Sequence, residues 1–151
     1  MSVVVYHEGV MAADSRAYGG DQHPVGNKRK IHRLPDGGLV GITSNQIGMP
    51  EAFRDWLAAG ADRKADMPGE PAFDAIHVTP AGEVFLYSDG YTPSGPLFGN
   101  TWSIGSGKKY AHGAIQMGAN AVEAVEAAKA CDFWCGGPVL TLSLNEATSN
   151  L

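Results

Sequence analysis

The first fourteen residues constrain this fold more than any other stretch. Val3-Val4-Val5-Tyr6-His7 is a β-branched and aromatic run, and Val10-Met11-Ala12-Ala13-Asp14 is a second apolar run. Only Glu8-Gly9 separates them, so the pair predicts a tight antiparallel hairpin at the head of the chain. Lys30 to Leu34 and Leu39 to Thr43 repeat the arrangement around Pro35-Asp36-Gly37-Gly38, a strong turn signal. Ala72 to Thr79 and Glu83 to Ser88 repeat it again around Pro80-Ala81-Gly82.

Helical spacing interrupts the strands twice. Pro50 suits a first helical turn, and Ala52, Phe53, Trp56 and Leu57 recur at helical intervals toward Ala61. Lys108 to Met117 and Ala121 to Ala130 form a helical pair, with Asn120 and Glu123 at capping-box spacing. Asp62 to Pro71 and Asp89 to Asn100 read as loops, because proline and glycine punctuate both. Thr101 to Ile104 and Val139 to Leu144 are the remaining strands. The order is strands, helix, strands, two helices, strand. That order predicts an α+β protein of two antiparallel sheets packed face to face with helices outside. No linker divides residues 1–151, so a single domain is expected.

Composition excludes several functions. A net charge of −5 argues against a nucleic-acid surface, despite the local run Lys28, Arg29, Lys30 and Arg33. No apolar run approaches the roughly 20 residues needed to span a membrane, and the start lacks the features of a secretory signal. Cys131 and Cys135 have no second Cys or His pair at zinc-ligand spacing, so reduced thiols in a cytoplasmic protein without metal are expected.

A hydroxyl nucleophile is weak unless a base stands beside it. If Met1 is removed, Ser2 carries its own base, since an α-amine titrates at roughly 7.7–8.0. Further along, Ser106 sits between two glycines at a strand-to-helix junction. It is not a lipase elbow, which needs glycine where Ile104 and Lys108 stand. Nor is it a phosphate loop, which needs glycine and a hydroxyl where Trp102 and Lys109 stand.

Four segments in order carry a family resemblance. They are the opening strand with Val10-Met11-Ala12-Ala13-Asp14-Ser15-Arg16, then Asn27 to Leu34, then Ile104-Gly105-Ser106-Gly107, then Asp132-Phe133-Trp134-Cys135-Gly136-Gly137. Together they resemble proteasome β-type subunits and the bacterial HslV peptidase, including its short phage-type branch. The resemblance implies an N-terminal nucleophile hydrolase with a four-layer αββα sandwich, no cofactor, and a peptide or protein substrate. It also implies a homo-oligomer, and leaves any unfoldase partner open. The family places two helices where Met49 to Pro71 has room for little more than one, which bears on ring stacking.

The resemblance assigns roles residue by residue. Ser2 is the nucleophile, where the family more often has threonine. Lys30 is the lysine beside it and Asp14 the matching carboxylate; alternatively Asp14 caps a turn and Lys30 faces solvent. Arg16 is a second, structural basic residue. Ser106 orients the amine of residue 2, or else is an ordinary helix N-cap. Asp132 supports Ser106, and Cys135 replaces the family's hydroxyl residue, a weaker hydrogen-bond donor. Backbone N–H groups at Ser44 or Asn45 serve the oxyanion. The edge facing Gly19-Gly20-Asp21 is where an extended peptide would add as a strand. Ala17, Lys28, Ile42 and Gln46 line the first specificity pocket, with Lys28 favouring acidic side chains. Two rival readings are a non-catalytic assembly protein and an amidase for small substrates.

Overall fold

The computed structural model describes residues 2–19, 21, 23–62 and 71–145. Strands β1 (Val4–His7) and β2 (Val10–Ala13) pair antiparallel with His7 opposite Val10. Glu8 and Gly9 both take positive φ, 50° and 80°, as a two-residue type I′ turn requires. A short ribbon of β3 (Arg16–Tyr18) and β4 (Pro24–Asn27) follows. Then come β5 (Ile31–Arg33), β6 (Leu39–Thr43) and helix α1 (Met49–Ala58). Next are β7 (Asp74–Val78), β8 (Val84–Ser88), β9 (Ser94–Leu97) and β10 (Thr101–Ile104). Helices α2 (Lys108–Gln116) and α3 (Ala121–Cys131) lead into β11 (Leu140–Ser143). Asn120 and Glu123 close the expected capping box reciprocally, at 2.8 and 3.0 Å.

One sheet has the order β10-β1-β2-β11 and the other β5-β6-β7-β8-β9, all antiparallel. The period-two alternation of each strand sorts its residues into different layers. Val4, Tyr6 and Met11 face inward and meet Ile31, Leu39, Ile76 and Val78 of the opposite sheet. Val3, Val5 and Ala12 point the other way, onto Ala111, Ala124, Val125 and Ala128 of α2 and α3. Val40 and Ile42 likewise pack outward against Met49, Phe53 and Trp56 of α1. The outcome is a four-layer αββα sandwich, as expected. Each fully buried Val, Leu, Ile or Phe contributes about 1.5–3 kcal/mol, so these three clusters outweigh any single surface pair.

One expectation is corrected. Within Asp89 to Asn100, read as a connection, Ser94–Leu97 forms the edge strand β9. A proline is tolerated there because an edge strand has one side without a partner. The ribbon β3–β4 also lacks a sequence signature, since Gly19 and Pro24 read as breakers. Met49 to Pro71 holds one helix among the described residues, and the expected loop there lies mostly at 63–70, outside them. Among the described residues no helix is long and apolar enough to cross a membrane.

Candidate active site

Four chain segments converge at one end of the sandwich, between the two sheets. Ser2 immediately precedes β1, Asp14 follows β2, Lys30 leads into β5 and Ser106 follows β10. All but Ser106 are buried, and Asp14 is fully inaccessible. A buried carboxylate needs donors. Asp14 Oδ1 accepts from Val3 N–H and from Lys30 Nζ, each at 3.0 Å, and Oδ2 accepts from Gly136 N–H at 3.0 Å. The alternative in which Asp14 caps a turn and Lys30 faces solvent does not hold.

Lys30 Nζ also donates to Ser2 Oγ at 3.0 Å. Burial draws its pKa below the ordinary lysine value, while the charge and hydrogen bond of Asp14 pull it back up. The ammonium therefore has one fixed anion behind it and one hydroxyl in front. Of the basic run, Lys30 alone enters the core; Lys28 is half-exposed.

Ser106 reaches the same point from the other side. Its Oγ accepts from Ser2 N–H at 3.1 Å, and the next residue, Gly107, donates its N–H to the Ser2 carbonyl at 3.1 Å. The turn permits this because Gly105 has φ +97°, and a Cβ there would lie 2.2 Å from the Ser2 carbonyl oxygen. The N-cap of α2 is Gly107, without a side-chain cap, so Ser106 is not an N-cap. Asp132 stands at the end of α3, its Oδ1 accepting from Trp134 N–H at 3.0 Å and its Oδ2 from Cys135 Sγ at 3.4 Å. Burial works to raise its pKa, but hydrogen bonding from Ser106, Trp134 N–H and Cys135 holds the carboxyl below its usual range. Cys135 is buried and its thiol is pushed up to about 12, by burial first and then by Asp14 and Asp132.

A cavity of about 370 Å³ opens beside Ser2. Ala17, Lys28, Ile42, Ser44, Asn45 and Gln46 line it, which unites the residues expected for oxyanion and pocket. Ser44 Oγ donates to the Ala72 carbonyl and accepts from Gln46 N–H at 2.9 Å, which fixes the turn after β6. Gly20 lies outside the described residues, as does Met1. Arg16 lies against Gly136 and donates to the Phe133 carbonyl at 3.4 Å, a bracing position for the loop after α3.

One charged lining residue escaped the sequence reading. Glu51, in the first turn of α1, accepts from Lys28 Nζ at 2.6 Å. Its only local signal is an acidic residue after Pro50, where the helix N-terminus favours negative charge.

The comparisons agree with this geometry at the level of fold. Neither a protein-family model nor a curated protein matches the chain. Among solved structures, BPH from Thiobacillus denitrificans is similar over 97% of this chain and 99% of its own, at TM-score 0.64 and 20% identity. The complex of Thiobacillus denitrificans BPH with epoxomicin is similar over 96% and 99%, at TM-score 0.63 and 20% identity. Eukaryotic HslV from Trypanosoma brucei is similar over 94% and 98%, at TM-score 0.63 and 16% identity. The resemblance read from the four sequence segments is matched by a likeness of fold over nearly the whole chain.

Proposed function

We propose that this chain is a single-domain N-terminal nucleophile peptidase, with Ser2 as nucleophile after removal of Met1. The observation that carries the reading is Lys30 Nζ at 3.0 Å from Ser2 Oγ, with Asp14 behind it. A buried ammonium aimed at a hydroxyl favours the alkoxide that forms as the proton leaves.

In this reading the free amine of Ser2 takes the hydroxyl proton, directly or through a water. Oγ bonds to the substrate carbonyl carbon, and the carbonyl electron pair moves onto oxygen. Backbone N–H groups of the turn at Ser44 and Asn45 receive that oxyanion. The tetrahedral centre collapses, the C–N bond breaks, and the amine returns the proton to the leaving nitrogen. Water then hydrolyses the Ser2 ester by the same relay. Ser106 and Asp132 orient the amine. Ser2, Asp14, Lys30, Ser106, Asp132 and Cys135 form the machinery, with no cofactor required. An extended peptide lies between the Ala17–Gly19 edge and the Ser44–Gly48 turn, both bordering the cavity. That the similar Thiobacillus denitrificans BPH is found in complex with epoxomicin supports a ligand of that kind for this fold. Exposed Phe98, Met117 and Phe133 support association with further copies of the chain, and a cytoplasmic location belongs to the same reading.

Intact mass of protein made in a cell, followed by a peptide epoxyketone probe, tests the reading. The expected result is loss of Met1 and an adduct mapping to Ser2. Retained Met1 with no adduct would favour the non-catalytic assembly protein instead. An adduct with cleavage of small amides but of no peptide would favour the amidase.

A further inference from the structure

Lys28 alone would make the cavity beside Ser2 attractive to acidic side chains, but Lys28 is not alone. Its Nζ lies 2.6 Å from Glu51 Oε1, on the same cavity wall. The two side chains are 36% and 41% exposed, so both reach the mouth of the cavity. Glu51 is held in place by α1, with Phe53, Trp56 and Leu57 anchoring that helix in the core. Burial works to raise the Glu51 pKa, yet hydrogen bonds from Lys28 and its own N–H lower it overall, so the carboxylate is ionised. Glu51 Oε2 is buried with no hydrogen-bond partner, which makes Lys28 the carboxylate's one side-chain donor among the described residues.

The other charges lining the cavity are engaged elsewhere. Lys30 is held by Asp14 and Ser2, and the Arg16 guanidinium lies against Gly136. The rest of the lining is uncharged, with Ala17, Ile42 and Pro50 among its apolar members and Thr43, Asn45 and Gln46 among its polar ones.

We propose that Glu51 is a specificity-determining residue: by pairing with Lys28 it makes the pocket beside Ser2 select an uncharged side chain. The inference rests on the reading of Ser2 as nucleophile. An entering carboxylate is attracted by Lys28 but repelled by the adjoining Glu51, and an entering cation is attracted by Glu51 but repelled by Lys28. Each incoming charge therefore gains little net attraction and still loses its hydration. An uncharged side chain leaves the pair intact and gains apolar burial against Ile42 and Ala17. The expectation that Lys28 favours acidic substrates is revised accordingly. Specificity here is set by a charge that cancels another.

Fluorogenic peptides identical except for Leu, Gln, Glu or Lys before the scissile bond test this on the processed protein. Parent, Glu51→Gln, Lys28→Met and the double variant are compared as kcat/KM ratios to the Leu peptide, with active sites counted by epoxyketone labelling. The parent is expected to prefer Leu or Gln. Glu51→Gln should raise the Glu/Leu ratio by up to about fivefold, the scale of a half-exposed ion pair. Lys28→Met should raise the Lys/Leu ratio, and the double variant should raise neither. A parent that prefers the Glu peptide, or ratios unmoved by either single variant, would overturn the role of Glu51 while leaving the peptidase reading intact. Absence of both turnover and labelling in the parent would overturn the nucleophile, and the pocket with it.

Discussion

Lys30 Nζ stands 3.0 Å from Ser2 Oγ, although the two residues lead into strands of opposite sheets. Closing the sandwich is thus what assembles the site. Lys30→Ala is expected to lower turnover on the order of 100-fold, the effect of losing one preorganised electrostatic group. It also strands Asp14 in the core, at a cost of about 3–5 kcal/mol. Lys28→Ala breaks only a half-exposed pair and should change stability by about 1 kcal/mol or less. Urea unfolding of both variants checks the contrast, and equal losses would contradict it.

Ser2 N–H donates to Ser106 Oγ, so the atom proposed as base already has its orienting partner. A variant made to retain one residue before Ser2 keeps that nitrogen as an amide, which cannot accept a proton. It is expected to fold with an unchanged melting curve and to show no turnover. Full turnover by protein whose mass shows the extra residue would contradict the amine mechanism.

Cys135 lies close to the same network but is a poor nucleophile. With its thiol pushed up to about 12, the thiolate fraction at neutral pH is on the order of 10⁻⁵. Iodoacetamide on the folded protein should therefore label exposed Cys131 and spare Cys135. Cys135→Ser supplies a better donor to Asp132 and should leave activity equal or raise it by up to roughly tenfold, since a neutral hydrogen bond is worth about 0.5–1.5 kcal/mol. A peptide-probe adduct on Cys135 that survives in Ser2→Ala would make this a cysteine enzyme.

Much of this was legible in the chain because the relevant signals are local. The Glu8-Gly9 turn, the β-branched and aromatic run Val3 to Tyr6 and the Asn120–Glu123 cap each depend on residues within a few positions of one another. Edge strand β9 was not legible, because Gly95 and Pro96 are breakers by local rule and its pairing with Val84 and Leu86 is a tertiary fact. The role of Ser106 was ambiguous for the same reason: its partner is 104 residues away. Glu51 was invisible as a pocket residue, since nothing near it announces an ion pair with a lysine 23 positions earlier.

His32 supplies a pH test of the region behind the pocket. Its pKa falls from 6.5 to about 4, through burial first and then the charges of Arg54, Arg29 and Lys28, with Glu51 opposing. The folded protein therefore holds His32 neutral where the unfolded chain already binds a proton. As pH falls from about 6.5 toward about 4, protonation favours the unfolded state and stability declines. Above 6.5 the contribution is fully present, and below about 4 it is gone. Replacing His32 with Gln removes this titration. Urea midpoints measured at pH 7, 5.5 and 4.5 should then fall less steeply for His32→Gln than for the parent, the difference confined to that window. Parallel curves for the two proteins would mean that His32 is protonated in the folded state as readily as in the unfolded chain.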